Sequence, residues 1–445
     1  MAVLSYICRV KRFRIMKRRL IITALPLLLS LAMTGQSLDE CQRAAERNYP
    51  LIRQMGLVAK TRDLSVENIA KGWLPQISAS AQATYQSDVA TWPDQVRGFY
   101  QQMGIDMEGL RRDQYRVGID VQQTVYDGGS IRSQKETARR QGNVEAAQTE
   151  VTLYQIRQRV NEMYFGLLLL DRQMELNADL QRLLQGNEEK LLSMFRSGTA
   201  AESDYLAVKA ERLSTGQKMT DLEAQRQSLA RLLSAFCGIE VGAVEMPQGA
   251  STNAWMQGAK LLNGRPELRL INERTLLTEA QERELDTRLR PRLSVFAQGF
   301  YGYPGYNMFE DMMHRNWSLN GMVGARLSWN IGALYTRKNE KAKLATQREM
   351  LDVERETFLF NNRLEQMERQ DDWLRMERVM ADDEEIIKLR TSVRKAAESK
   401  LQHGIIDVND LVREINNENA ARVLQQVHKI EMTKEIYDLK YTTNN

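Results

Sequence analysis

The sequence is poor in the residues that mark several common fold classes. Its 445 residues include only 8 prolines and 3 cysteines, and 7% are aromatic, whereas 27% are charged. So little proline and cysteine excludes a collagen-like fibre and a disulfide scaffold, and so few aromatics disfavour an array of β-sandwiches. The composition instead favours long, solvated helices.

The chain also lacks the motifs of common enzyme sites. His314, His403 and His428 are too dispersed to form a metal-ligand pair at helical spacing. There is no phosphate loop of the Walker type and no Gly-x-Ser-x-Gly elbow. We therefore predict no catalytic residue, no metal and no cofactor. Residues 1–35 contain seven basic and no acidic residues, which is more than the net charge of +4 of the whole chain. The remaining residues are therefore slightly acidic, and no nucleic-acid partner is predicted.

Residues 1–37 are predicted to be a secretory signal peptide with an upstream extension. The basic stretch Met16–Arg19 precedes the apolar run Leu20–Met33 and a small, polar exit, which is the order of a cleaved leader. The run is shorter than the roughly 20 residues that cross a bilayer, and no later run reaches that length. Cys41 and Cys237 could pair in an oxidising compartment, but the sequence leaves this open.

Helical periodicity dominates the rest of the chain. Apolar residues recur at alternating intervals of three and four between Leu153 and Met174, which predicts a long helix over 130–197 with a partner helix along it. Similar spacing predicts a second long helix over 333–399, in which the acidic run 382–385 would be a solvated face. Shorter helices are predicted over 38–72, 204–236, 267–290 and 407–440.

Four segments alternate between apolar and polar residues and are predicted to be strands with two unlike faces. They are 76–86, 114–125, 292–301 and 316–330. Each is about as long as a strand that crosses an outer membrane. Trp317 and Trp329 bracket the last strand, as two interfacial aromatic girdles would. The connecting segments 87–113 and 302–315 are predicted loops. The alternative is a water-soluble sheet with one face on a core.

Four strands cannot close a barrel, and open strand edges cannot face lipid because unpaired backbone groups are costly there. The barrel is therefore predicted to be shared among subunits, since three copies would supply twelve strands and two copies only eight, with a filled interior. The order of helices and strands occurs twice, in repeats 38–240 and 267–440. The Gly- and Pro-containing stretch 241–266 is a predicted linker, and 441–445 a tail.

Six motifs carry this doubled order. They are SLDECQRAAERNYPLI, KGWLPQISASAQATYQ, QQTVYDGGSIRSQKETA, SGTAAESDYLAVKAERL, LSWNIGALYTRKNEKA and HGIIDVNDLVREINNEN. In order and in both repeats they resemble the outer-membrane efflux protein (TolC) family, over essentially the whole chain after the leader. The resemblance implies a mainly α fold with a transmembrane β part: a homotrimeric 12-stranded β-barrel in the outer membrane, continued by a long α-helical periplasmic barrel.

The resemblance also implies a site at the turns furthest from the strands. Gly198 and Gly404 end the long helices, where a left-handed residue is most easily glycine, and together with Asp204 they are expected to contact a periplasmic adaptor protein. Asp410 and Asp407 are expected to line the pore entrance, where three copies would attract cations. The alternative is that these aspartates only stabilise the helices that follow them.

One feature of some family members is absent. The arginine that would latch a closed entrance is missing after the second turn, where Ile405 and Ile406 stand, although Arg394, Lys395 or Lys400 could serve. The predicted function is a passive exit duct that joins an adaptor and an inner-membrane transporter and exports small toxic compounds. The alternatives are an exit duct for secreted polypeptides or, less favoured, a periplasmic adaptor or structural coiled-coil protein.

Overall fold

A computed structural model of the chain describes residues 36–105, 107, 109–247 and 263–444. All but the last two residues of the predicted signal peptide, and most of the predicted linker, lie outside the described residues. The described chain is mainly helical and contains one four-stranded antiparallel sheet. This confirms the predicted combination of a large α part with four strands.

The chain divides into two compact units, which we call the helical unit and the sheet unit. Of the described residues, the helical unit comprises those within Met1–Ile52, Thr152–Arg265 and Phe360–Asn445, and the sheet unit comprises those within Arg53–Val151 and Pro266–Leu359. Both repeats supply segments to both units. The compact units therefore cut across the two sequence repeats instead of coinciding with them.

The helices longer than one turn are numbered in chain order. They are α1 Leu38–Asn48, α2 Ile52–Ala70, α3 Asp94–Gln102, α4 Ser130–Arg196, α5 Glu202–Cys237, α6 Pro266–Thr287, α7 Met308–His314, α8 Ala333–Met380, α9 Asp383–Gln402 and α10 Val408–Thr443. The first predicted long helix ends within one residue of its predicted bounds. The predicted tail is wrong for Tyr441–Thr443, which belong to α10.

The predicted helix over 38–72 is two helices, α1 and α2. Pro50 lacks a backbone N–H and disfavours a helical conformation at the residue before it. Tyr49 accordingly adopts an extended conformation, with φ −62° and ψ 129°. The helical pattern on both sides of the proline is genuine, but one continuous helix cannot pass through it.

The predicted helix over 333–399 is also interrupted, between α8 and α9. Asp382 occupies the N-cap position of α9 and the acidic residues after it form the first turn, where negative charge favours the helix terminus. The prediction of a solvated acidic face is wrong for Asp383. Its side chain is buried, and its Oδ2 lies 2.9 Å from Nδ1 of His428 on α10.

The strands are β1 Gln76–Tyr85, β2 Asp113–Tyr126, β3 Arg292–Tyr303 and β4 Ser318–Ser328. They pair antiparallel in the order β1-β2-β3-β4. The two predicted hairpins therefore form, and the β2–β3 pairing joins the repeats with Ile119 opposite Gly299.

The segments predicted as loops between the strands contain α3 and α7. Leu110, Tyr303 and Met312 form a small core, and Trp92 packs against it. The Tyr303 hydroxyl accepts a hydrogen bond from the backbone N–H of Arg111 at 3.0 Å. The two connections are therefore folded against each other at one end of the sheet.

Candidate pore entrance and two-faced sheet

The two predicted glycine turns have the same backbone structure. Gly198 has φ +76° and Gly404 has φ +71°, which is the left-handed region that favours glycine. The N–H of Gly198 donates to Phe195 and the next N–H donates to Met194, both at 2.9 Å. In the second turn Gly404 and Ile405 donate to carbonyls with the same offsets and distances. These bonds satisfy carbonyls that the helix ends leave free.

The helical unit brings both turns to one end. Buried side chains from the four helices that enter and leave the turns form a single cluster. Its members are Leu180, Leu184, Leu191, Val208, Ala397, Val408, Leu411 and Ile415. The two hairpins, α4 with α5 and α9 with α10, therefore pack against each other next to the turns.

Asp204 and Asp410 lie in the first turns of α5 and α10, and Asp407 is the N-cap residue of α10. The Asp204 carboxylate accepts from the N–H of Ala201 at 3.3 Å, and the Asp407 carboxylate accepts from the N–H of Asp410 at 2.9 Å. Both bonds satisfy amide groups that a helix start leaves free. Asp407 is also exposed and forms no ion pair with a described basic residue. Its negative charge is therefore not offset by a neighbouring cation of the described chain.

Asp410 has a partner that the sequence analysis missed. Nη2 of Arg413 donates to Oδ1 of Asp410 at 2.8 Å, and the two side chains are 65% and 37% exposed. The arginine offsets part of the negative charge that Asp410 would present. Residues three apart share a helix face, so this pairing was readable from the spacing of the two residues.

A buried ion cluster lies between α9 and α10. Glu418 is 5% exposed, and its carboxylate accepts hydrogen bonds from Thr391 at 2.8 Å, from Arg422 at 2.7 Å and from Arg394. Burial alone would raise the pKa of this carboxylate, but the bonds from the two arginines and the threonine outweigh it and lower the pKa below its ordinary value. Arg394 also pairs with Glu398, so this candidate for a latch is engaged within its own chain.

The sheet has one apolar and one polar face, because alternate residues of a strand point to opposite sides. Strand register aligns apolar residues in rows across all four strands, for example Ala81, Val117, Tyr301 and Leu319. The apolar face is exposed in the single chain. Its strongly exposed members include Ile77 at 72%, Tyr85 at 74%, Val117 at 56%, Leu319 at 83%, Val323 at 82% and Leu327 at 71%.

Two phenylalanines on the polar face are explained by the structure. The guanidinium of Arg116 lies 3.9 Å from the ring centre of Phe300, and that of Arg326 lies 5.1 Å from the ring of Phe296. Cations are attracted to aromatic faces at such distances. The rings are therefore covered by arginines, and the face remains polar where it meets solvent.

The two tryptophans flank β4 as the sequence predicted. Trp317 stacks on Tyr115 with ring centres 5.9 Å apart and also contacts Tyr301. Trp329 is 59% exposed and donates from its indole N–H to the carbonyl of Leu289 at 2.8 Å. Trp317 thus belongs to a cluster of three aromatic rings at the loop end of the sheet, two of which the sequence analysis did not include.

The outer strands of the sheet remain open. Among the described residues, β1 pairs only with β2 and β4 only with β3. Such edges carry unpaired N–H and C=O groups and exposed apolar side chains, so they are ready to pair with another chain. No helix of the described residues is long and apolar enough to span a membrane.

Comparisons with known proteins agree with this architecture. The family model described as outer membrane efflux protein matches residues 42–238. The fold is similar to that of the outer-membrane channel OprN, with 14% identity, a TM-score of 0.62 and coverage of 91% of this chain and 89% of OprN. For CusC the identity is 11%, the TM-score 0.64 and the coverage 92% of both chains.

A third similar structure is the outer membrane protein VceC from Vibrio cholerae, with 14% identity, a TM-score of 0.60 and coverage of 92% of this chain and 96% of VceC. A search of curated protein sequences gave no match. The predicted resemblance is nevertheless confirmed: the outer membrane efflux protein family model matches residues 42–238, and the fold is similar to those of solved outer-membrane channels.

Proposed function

We propose that this chain is the outer-membrane exit duct of a tripartite efflux pump, working as a homotrimer with a periplasmic adaptor and an inner-membrane transporter. The carrying observation is the four-stranded sheet with an exposed apolar face and two open edges. Three copies would supply twelve strands, enough for a barrel with an open interior. The apolar face would then meet lipid and the polar face would line the pore.

The folded turns of the helical unit support a role in contacts with other proteins and in the entrance of the duct. The matched turns at Gly198 and Gly404, with Asp204 beside the first, would form the contact with the adaptor. Asp407 and Asp410 would form the pore entrance, with six carboxylates in the trimer. The cargo we propose is small toxic compounds, in keeping with the efflux function of the family.

The structural coiled-coil and adaptor alternatives receive no support from the fold. An adaptor would have one helical hairpin and β domains that lie outside the membrane. This chain has two glycine-turn hairpins and two matched strand pairs joined in one sheet. An exit duct for polypeptides would share this architecture, so cargo has to be tested by transport.

Planar bilayers containing the purified protein should show stable ionic conductance, and Asp407→Asn with Asp410→Asn should weaken block by divalent cations at least about tenfold. At ~6 Å in water a divalent cation gains roughly 1.4 kcal/mol from one carboxylate, which is a factor of about ten. Asparagine retains the side-chain oxygen that caps α10. The readouts are the concentration of Mg²⁺ that halves the current and the reversal potential in a salt gradient.

Two control variants test whether the change in block depends on charge at the entrance. Arg413→Gln removes the cation beside Asp410 and should strengthen the block, whereas Asp204→Asn should leave it unchanged. Unaltered block and selectivity in the double variant would exclude the entrance assignment. The absence of any conductance from correctly assembled wild-type protein would count against the channel function itself.

A further inference from the structure

The two cysteines of the described chain lie in contact although 196 residues separate them. Cys41 is on α1 and Cys237 is the last residue of α5. Sγ of Cys237 lies 3.4 Å from the carbonyl oxygen of Cys41, and the two side chains are 0% and 2% exposed. Both residues belong to the helical unit. The fold therefore brings together two free thiols that the sequence alone could not place.

Neighbouring contacts hold the two helices in register around the thiols. The side-chain amide of Asn48, at the end of α1, donates to the carbonyls of Ala235 and Phe236, both at 3.1 Å. The Tyr49 ring stacks on Phe236 with ring centres 6.1 Å apart. The thiols are thus kept together by contacts that do not depend on a covalent bond.

We propose that Cys41 and Cys237 form an intramolecular disulfide in the mature protein, which fastens α1 to the end of α5. The proposal rests on the proposed function only for the compartment, because disulfides form and persist in oxidising environments such as the periplasm. Two buried thiols that merely pack as small apolar side chains are the competing explanation.

The bond would form by exchange with the disulfide of a periplasmic thiol oxidase. One cysteine thiolate attacks a sulfur of that disulfide, which gives a mixed disulfide and releases the other oxidase sulfur as a thiolate. The second cysteine thiolate then displaces the oxidase. The chain loses two protons and two electrons, and the oxidase leaves as a dithiol.

The folded environment makes the two thiols chemically unequal. The hydrogen bond between the two thiols, followed by burial, raises the pKa of Cys41, and the same hydrogen bond lowers the pKa of Cys237. In the packed state Cys237 is therefore the more readily ionised of the two thiols. Because both are buried, we expect exchange to occur before α1 closes over α5.

The test counts free thiols in full-length protein purified from outer membranes. The protein is denatured and treated with a maleimide-polyethylene glycol, with and without prior reduction. The disulfide predicts no label without reductant, two labels after reduction, and an intact mass about 2 Da below that of the reduced chain. Cys41→Ser and Cys237→Ser should each take one label with or without reduction.

Two labels on unreduced wild-type protein from outer membranes would overturn the disulfide and leave the channel function intact. Loss of the protein from the outer-membrane fraction would instead contradict the proposed function. A second arm then still tests the geometry: the reduced, unfolded chain is refolded in detergent with reduced and oxidised glutathione. An intramolecular bond supports the proposal, and glutathione adducts on both cysteines contradict it.

Discussion

Replacing Val323 with arginine should remove most of the protein from the outer membrane. Val323 lies in the middle of β4, is 82% exposed and belongs to the apolar face that we assign to lipid. An arginine on the lipid face near the bilayer midplane costs about 2–4 kcal/mol, and a homotrimer would carry three. Folding and membrane insertion of such a barrel are coupled, so the penalty falls on assembly. The measurement is the amount of protein in purified outer membranes by quantitative immunoblot.

The neighbouring residue provides the matched control. Met322 points to the opposite face, where its register partner on β3 is Gln298. Met322→Arg places the same charge one residue away, in a polar environment, and should leave the outer-membrane level within about twofold of wild type. Equal levels for both variants would show that the apolar face does not meet lipid.

Replacing Glu418 with glutamine should lower the stability of the helical unit by about 3 kcal/mol, since removal of one partner from a buried ion pair leaves the other charge uncompensated. The buried carboxylate accepts bonds from Thr391, Arg394 and Arg422. The neutral amide would face two arginines in a buried position. The readout is the midpoint of thermal unfolding by circular dichroism, with conductance recorded separately.

The lowered pKa of Glu418 also predicts a pH dependence. Its folded-state pKa lies below the ordinary value of 4.5, so the ionised form stabilises the fold. That contribution is complete at pH values above 4.5 and is lost as the pH falls through the folded-state pKa. The stability difference between wild type and Glu418→Gln should therefore shrink on acidification below pH ~4.5.

An exposed ion pair on α8 is the control. Asp372 contacts Arg375 at 3.2 Å, with side chains that are 37% and 61% exposed. Asp372→Asn should change stability by less than about 1 kcal/mol. A comparable loss of stability in both variants would mean that the Glu418 cluster stabilises the fold no more than an exposed ion pair does.

The strands were predictable because their signal is local. Period-two alternation places the bounds of β1 and β2 within one residue of the structure, and the same residues define both faces once register is known. The long helix α4 was predictable for the same reason. The missed breaks have local causes too: Pro50 interrupts the first helix, and the acidic start of α9 was interpreted as a continuous helical face.

Contacts between distant segments were not accessible from one sequence. The placement of Arg116 over Phe300 depends on the register between β2 and β3, and the contact of Cys41 with Cys237 depends on how α1 packs on α5. Glu418 looks like any helical glutamate until α9 is placed beside it. The partner of Asp410 was the exception, because Arg413 lies on the same helix face.

Native mass spectrometry of the detergent-solubilised protein would show directly whether three chains share one barrel. Each chain contributes four strands with open edges at β1 and β4, so closure requires neighbours that pair with both edges. We expect a complex with three times the mass of the mature chain and no stable folded monomer. A monomer that retains its β-sheet signal in detergent would contradict it.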